Sequence, residues 1–184
     1  IKDYQSRKSI ADIISVFMES GIDTVMGPPA PILYEAAREA EDRTGRKAIL
    51  VITPHFNILP GGDPETEPEA VFDACKANGA TFCMPHQCVT DALMDRMHKK
   101  IRDLDKYTAM IRERDMVPGL GTHMPETPRI ADEQGADVET YIQMYNAIGF
   151  LMQVEVDWVM RVIQNAKKPV MTIKPLAAGS LLPP

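Results

Sequence analysis

Three of the four histidines in this chain come directly after hydrophobic segments that are typical of buried strands. They are His55, His86 and His123, which follow residues 48–54, 80–85 and 116–122. If these segments are neighbouring parallel strands, their carboxyl ends share one edge of the sheet, which is where α/β proteins place their active sites. Adjacent strands lie ~4.8 Å apart, so three strand ends span roughly 10 Å. The three side chains could then surround one metal ion or one small substrate.

Imidazoles at such an edge suit several kinds of chemistry. Two or three of them, with a carboxylate and an open coordination position, suit zinc, manganese or iron(II), which activate water or polarise a carbonyl group. The acidic residues that could complete a metal site are Asp91, Glu126, Glu155 and Asp157. We interpret each of these acids as structural in the first place, for example as a helix cap or a first-turn residue. The histidines could equally bind an anion or transfer protons, so metal ligation by His55, His86 and His123 is one alternative among these.

Lys174 ends another predicted strand and is the next candidate. A lysine at a strand end can form a Schiff base or hold a carboxylate or phosphate; otherwise it is a paired or solvated cation. Residues 177–180 are small, which permits close backbone approach to a phosphate but also a tight turn. Gln143 and Asn146 could orient a substrate amide or carbonyl, or satisfy buried backbone groups. Cys88 lies two residues after His86 with no evident base geometry, so we predict no nucleophilic role for it.

Composition narrows the class of protein. The chain has 184 residues, 45% of them hydrophobic, which predicts one domain over residues 1–184 with an ordinary core. A net charge of -6 argues against nucleic-acid binding. Three cysteines without C-x-x-C spacing indicate free thiols in a reducing compartment. With no apolar run of ~20 residues and no secretory signal, we expect a cytoplasmic protein with a small-molecule substrate and no membrane partner; a homo-oligomer is left open.

Helical and strand patterns alternate along the chain. The predicted helices are residues 8–20, 32–43, 69–78, 91–114, 128–134 and 154–166, and the predicted strands are residues 22–26, 48–53, 81–84, 116–120, 138–145 and 170–173. Strands begin about every 25 to 35 residues, which is the period of βα units in a parallel sheet. A complete (β/α)8 TIM barrel has eight of each element and typically ~250 residues. We therefore predict an α/β, TIM-barrel-like domain that is incomplete, with the second to seventh strands present and the first and last βα elements lacking; an open doubly wound sheet is the alternative.

Four short motifs follow one another between residues 80 and 180. They are Phe82-Cys-Met-Pro-His86, Gly119-Leu-Gly-Thr-His123, Gln143-Met-Tyr-Asn146 and Lys174-Pro-Leu-Ala-Ala-Gly-Ser180. In this order they resemble the fourth-strand histidine, the fifth-strand Gly-x-Ser-Asn, the sixth-strand Gln-x-x-Tyr-Asn and the Pro-Leu-Gly-x-Gly loop of the aldo-keto reductase family. The resemblance implies a nicotinamide cofactor, NAD(P)H, contacted by Gln143, Asn146, Lys174, Gly179 and Ser180.

The chain also departs from that family. The aspartate and tyrosine that follow the family's second strand and the lysine that ends its third are replaced here by residues 27–30, Gly-Pro-Pro-Ala, and residues 53–55, Thr-Pro-His. The tyrosine is the family's proton donor, so the chain resembles a relative with a rebuilt site.

Three hypotheses of function follow. The first is an enzyme acting on a small carbonyl- or carboxylate-bearing molecule, metal-assisted through the strand-end histidines, in which His86, His123 and Lys174 are the catalytic residues. The second is an NAD(P)H-dependent oxidoreductase of aldo-keto type in which a histidine replaces the missing tyrosine. The third is a non-catalytic ligand-binding barrel, which predicts histidines too far apart to share one ligand.

Overall fold

The computed structural model of the chain describes residues 6–59 and 61–181. The helices are α1 (Arg7–Glu19), α2 (Pro31–Thr44), α3 (Pro68–Ala77), α4 (Gln87–Leu93), α5 (Leu104–Arg112), α6 (Thr127–Gln134) and α7 (Val156–Asn165). The strands are β1 (Thr24–Gly27), β2 (Ile49–Ile52), β3 (Phe82–Cys83), β4 (Met94–Asp95), β5 (Lys100–Ile101), β6 (Val117–Pro118), β7 (Leu120–Thr122), β8 (Tyr141–Met144) and β9 (Val170–Ile173). Among these residues, no helix is long and apolar enough to cross a membrane.

The parallel strands lie side by side in the order of the chain. One sheet has the strand order β1-β2-β3-β6 and another has the order β7-β8-β9, with every neighbouring pair parallel. Only Gly119 separates β6 from β7. The N–H of Gly121 in β7 donates to the carbonyl of Pro85, just beyond β3, at 3.0 Å, so β7 also lies beside the first sheet. The predicted α/β architecture with parallel strands is confirmed.

The two faces of these strands carry different contacts, as the two-residue alternation of a strand requires. One face packs with buried residues of α1 to α6 in the main core, and its members include Leu50, Ile52, Cys83, Leu120 and Tyr141. The other face packs on itself in a smaller cluster formed by Val51, Met84 and Ile142 with Phe82, Met171 and Ile173 around them. This cluster joins β2 to β8 across the strands between them, so the strands curve around that face.

Gly119 allows close packing on the face that carries the smaller cluster. A Cβ atom at position 119 would lie 2.6 Å from the Met84 methyl carbon and 2.8 Å from the carbonyl oxygen of Thr140. The second contact is with backbone, which cannot move aside cheaply. A glycine is therefore needed where β6 passes into β7.

The predicted helix over residues 91–114 is wrong. The segment instead contains the end of α4, a β4–β5 hairpin and α5, with Met94 paired to Ile101. In the turn, Asp95 accepts hydrogen bonds from the backbone N–H of His98 at 3.0 Å and from its ring Nδ1 at 2.8 Å. Lys99 has a φ of 50°, a left-handed conformation that a helix interior does not contain. An aspartate that bonds to the local backbone favours a turn over helix continuation.

The other predicted elements are confirmed with shifts of a few residues. Two helix ends follow their sequence signals: Pro31 occupies the first turn of α2, and Gly45 ends it in the left-handed conformation with a φ of 68°. The sixth helix ends in the same way at Gly135, with a φ of 71°. The predicted strand 138–145 is shorter in the structure, as β8.

Candidate functional site

A cavity of about 230 Å³ lies at the carboxyl ends of the parallel strands. Its polar lining residues are Thr53, His86, Gln87, Thr122, His123 and Lys174. Met26, Ile142 and Ile173 provide apolar contacts. The predicted catalytic residues His86, His123 and Lys174 are thus brought together, from three different strand ends.

A larger groove, of about 450 Å³, lies between α6 and α7 and includes Trp158 and Arg161. None of the residues singled out from the sequence lines it. We assign the candidate site to the smaller cavity, because that is where groups able to transfer protons converge.

His86 is fixed by the start of the helix that follows it. It is the N-cap residue of α4, and its Nδ1 lies 3.4 Å from the backbone N of Cys88 and 3.1 Å from the Cys88 Sγ. Because a backbone N–H can only donate, Nδ1 is the accepting nitrogen and the proton of the neutral ring resides on Nε2. His86 therefore has an N–H donor, on Nε2, for a ligand in the cavity.

His123 is held through its backbone, and its ring is left free. The backbone N–H of His123 donates to Asp91 Oδ2 at 3.1 Å. The neighbouring Thr122 hydroxyl lies 2.5 Å from Asp91 Oδ1 and also 2.9 Å from the hydroxyl of Thr127. Asp91 lies in α4, so this carboxylate ties the helix that begins after His86 to the loop that carries His123. The ring of His123 makes no hydrogen bond with the described part of the chain.

Both cavity histidines have a pKa below the ordinary value of 6.5. For His86 the largest cause is burial, followed by the charges of His55 and Lys174. For His123 it is again burial, followed by the charges of Lys174 and His86. Burial raises the pKa of Asp91, against the hydrogen bonds from Thr122 and His123. Both imidazoles are therefore neutral at pH 7.

Lys174 supplies the positive charge of the cavity. It follows the last residue of β9 with a φ of 58°, and its carbonyl accepts a hydrogen bond from the Ala177 N–H at 2.9 Å. Within residues 6–59 and 61–181, its ammonium group has neither a hydrogen bond nor an ion pair. Among the described residues, no acidic side chain lines the cavity.

His55, the third predicted ligand, is exposed and does not line the cavity, although its charge still lowers the pKa of His86. In the described ranges, no three or more histidine, cysteine, aspartate or glutamate side chains form a group that could hold a metal ion. Glu126, a further candidate ligand, accepts a hydrogen bond from Arg96 at 2.7 Å. Metal ligation by His55, His86 and His123 stays a prediction.

The residues expected to contact a nicotinamide cofactor lie in different surroundings. Gln143 is fully buried, and neither of its amide atoms has a hydrogen-bond partner in the described chain. It shares a strand face with Tyr141, which packs with the helices, so it points away from the cavity lining. Asn146 uses its amide to bond the backbone N–H and carbonyl of Phe150, at 2.8 and 2.9 Å.

Gly179 and Ser180, the remaining expected cofactor contacts, belong to the turn after β9. Gly179 ends a single turn of 3-10 helix with a φ of 92°, and the Ser180 N–H donates to the carbonyl of Ala177 at 3.1 Å. Both residues are exposed and lie outside the cavity lining. Lys174 alone of the five lines the cavity.

Three features of the site were missed from the sequence. Thr122 and Gln87 each adjoin a predicted histidine, and that adjacency to a strand end was the available signal. The bond between Asp91 and Thr122 joins residues 31 positions apart and gave no local signal. The approach of Cys88 to the His86 ring also depends on where α4 begins, which the sequence placed at residue 91.

No protein-family model matches the chain, and no curated protein sequence matches it. The resemblance to the aldo-keto reductases stays a prediction.

Proposed function

We propose that the protein is an enzyme that transfers protons on a small carbonyl- or carboxylate-bearing molecule. The observation that carries this proposal is the convergence of two neutral imidazoles and one lysine ammonium group on a cavity of about 230 Å³. Neutral imidazoles are effective near pH 7 both as hydrogen-bond donors and as general bases.

The proposed reaction removes a proton from the carbon next to a carbonyl group. His86, through its Nε2–H, donates a hydrogen bond to the carbonyl oxygen. His123 takes the proton with a free ring nitrogen; the C–H electron pair becomes the new C=C bond, and the carbonyl π pair moves to oxygen. Lys174 stabilises the negative charge that develops on the substrate. Return of the proton to the same or another carbon completes an exchange or an isomerisation.

We also propose that the scaffold is a (β/α)8 barrel in which the parallel strands, with β6 and β7 counted as one strand interrupted at Gly119, are the second to the seventh. The support is that these strands follow chain order, that α1 to α6 pack on one face and that the other face packs on itself. Within the described chain, β1 and β9 each pair on one side only, and the apolar side chains of Phe17 and Ile22 are about half exposed near β1. Two further βα units would cover these edges. A crystal structure in which no further strand pairs with β1 or β9 would contradict this.

Metal assistance fits this cavity poorly. Lys174 places a positive charge on the lining, and the carboxylate of Asp91 is occupied by Thr122 and the His123 backbone. A divalent cation prefers sites with a carboxylate and no neighbouring cation. Elemental analysis of protein purified without chelator, compared with a triple His55, His86 and His123 to alanine variant, tests the metal prediction directly.

The two remaining hypotheses have their own tests. An NAD(P)H-dependent oxidoreductase would shift the fluorescence of the reduced cofactor when the two are mixed. A non-catalytic ligand-binding barrel would bind small carbonyl compounds without changing them. The non-catalytic hypothesis predicts histidines too far apart to share a ligand, whereas His86 and His123 line one cavity.

The proposed function is tested by solvent exchange of hydrogen for deuterium. Small ketones, aldehydes and 2-oxo acids are incubated with the protein in heavy water, and proton NMR follows the loss of the signal from hydrogens next to the carbonyl. We expect the protein to accelerate this loss over buffer and the His123→Gln variant to lose most of the acceleration. His98→Gln is the matched control, because His98 is exposed in the β4–β5 turn. No acceleration with any compound, or equal rates in both variants, would overturn the proposal.

A further inference from the structure

We infer that the ligand of this cavity is a short monocarboxylate with a carbonyl group beside the carboxylate, a small 2-oxo acid, and that Lys174 is its counter-ion. This inference rests on the proposed function and goes beyond it by naming the substrate class. It depends on three observations: the charge of Lys174, the position of Lys174 at the end of β9, and the size of the cavity.

The charge of the cavity is unbalanced within the described residues. Lys174 is only partly exposed and makes no ion pair there, and the lining contains no aspartate or glutamate. The nearby carboxylate of Asp91 accepts bonds from Thr122 and from the His123 backbone. An ammonium group that lines a cavity without a protein partner is available to an anionic ligand, which would accept charge-assisted hydrogen bonds from it.

Lys174 is also fixed at the strand end. Its left-handed φ of 58° is uncommon for a residue other than glycine, and the Ala177 N–H bond to its carbonyl holds the turn. Conformations of this kind are kept where the surrounding structure over-determines them, which is frequent at ligand sites. The backbone is therefore held at the residue whose side chain lines the cavity.

The size of the cavity favours a small ligand. A volume of about 230 Å³ is below the roughly 300–1,000 Å³ of sites for drug-sized ligands. Since a water molecule takes about 30 Å³ of liquid, the cavity admits on the order of seven water-sized groups. A three-carbon 2-oxo acid such as pyruvate has six non-hydrogen atoms and meets this limit.

The kind of anion follows from the number of charges. One ammonium group faces two imidazoles that are neutral at pH 7, so a single negative charge is balanced and a doubly charged phosphate is not. Ile142 and Ile173 close part of the cavity with apolar surface, which is unsuitable for a second charge. The carboxylate then binds Lys174, and the adjacent carbonyl oxygen receives the hydrogen bond from His86.

The test compares pyruvate, the uncharged ketone acetone and inorganic phosphate by chemical-shift titration of isotope-labelled protein at pH 7. We expect pyruvate to bind at least about tenfold more tightly than acetone or phosphate. Lys174→Met should weaken pyruvate binding about tenfold or more and leave acetone unchanged, and Lys174→Arg should recover part of the pyruvate affinity. Lys47→Met is the matched control, because Lys47 is exposed and precedes β2 at the opposite edge of the sheet.

Each outcome has a separate meaning. Equal affinities for pyruvate and acetone, or unchanged pyruvate binding in a folded Lys174→Met variant, would overturn the inference. Tighter binding of phosphate would also overturn it. Should acetone still exchange its hydrogens in heavy water, the proposed function would stand while this inference fails; absence of both exchange and binding would instead remove the proposed function.

Discussion

The carboxylate of Asp91 accepts a hydrogen bond from the backbone N–H of His123, at 3.1 Å, and joins α4 to the loop that carries this histidine. Its other oxygen lies 2.5 Å from the Thr122 hydroxyl. The two histidines of the cavity are therefore positioned by a single short helix, with His86 at its N-cap and Asp91 within it.

Replacement of Asp91 by alanine should destabilise the protein. The change leaves the His123 N–H without its partner and removes one bond to Thr122, which costs about 1–3 kcal/mol for a partly buried group. Urea unfolding measures the loss. Glu133→Ala is the control, because Glu133 forms an exposed i,i+4 pair with Arg129 and should cost at most about 0.5 kcal/mol. Equal losses of stability in the two variants would contradict this role of Asp91.

The lowered pKa values of His86 and His123 predict a specific pH dependence of stability. Because the folded values lie below 6.5, the unfolded state binds more protons between 6.5 and the folded values. The contribution of these two histidines to the free energy of unfolding is thus fully present above pH 6.5. It is lost as the pH falls through this window. A His86→Gln, His123→Gln double variant should have a smaller slope than the parent in urea unfolding at several pH values. A parent slope in the double variant would refute the assignment.

The charge of Lys174 should lower the pKa of His123. Its charge is the second cause of the lowered pKa of His123, after burial. Lys174→Met should therefore raise the His123 pKa, as measured by the pH titration of the ring carbon-bound proton in NMR. Lys47→Met should leave that titration unchanged. If Lys174→Met leaves it unchanged as well, the two side chains do not share the cavity in solution.

Cys88 should be the cysteine that reacts in the folded protein. Its side chain is exposed, whereas Cys75 and Cys83 are 1% and 0% exposed. Brief treatment with iodoacetamide followed by peptide mass spectrometry should find label on Cys88 alone, and all three cysteines should be labelled in urea. Native labelling of Cys75 or Cys83 at the Cys88 rate would contradict the packing of the core.

Gln143 should tolerate an apolar replacement. Its buried amide has no partner in the described chain, so Gln143→Leu should leave the free energy of unfolding unchanged or raise it by about 1 kcal/mol. Gln134→Leu is the matched control, because the Gln134 amide bonds the backbone N–H and carbonyl of Ile101 and its loss should cost about 1–3 kcal/mol. A large loss of stability in Gln143→Leu would mean that the amide is satisfied in solution.

The sequence predicts strand ends well and contacts between distant residues poorly. His86, His123 and Lys174 were found because each follows a hydrophobic run, and parallel strands bring such ends to one edge. His55 also follows such a run, yet the chain turns its side chain to solvent after Pro54. A strand end fixes a position along the sheet, but the loop that follows decides where the side chain points.

The helix predicted over residues 91–114 failed for a related reason. Charged residues between 95 and 103 permit a helix, but the local bond from the His98 N–H to Asp95 and the pairing of Met94 with Ile101 stabilise a hairpin. The actual helix begins earlier, with His86 as its N-cap and Asp91 inside it. Competition between local hydrogen bonds and tertiary packing decides such cases. The tertiary packing is visible only in the folded chain.

A single ligand in the cavity should contact both His86 and His123. Pyruvate is titrated into protein with labelled histidines, and the NMR signals of the His86, His123 and His98 rings are followed at pH 7. We predict that the His86 and His123 signals shift together and saturate with one dissociation constant, while the His98 signal stays in place. Shifts of only one cavity histidine, or different dissociation constants for the two, would contradict the shared site.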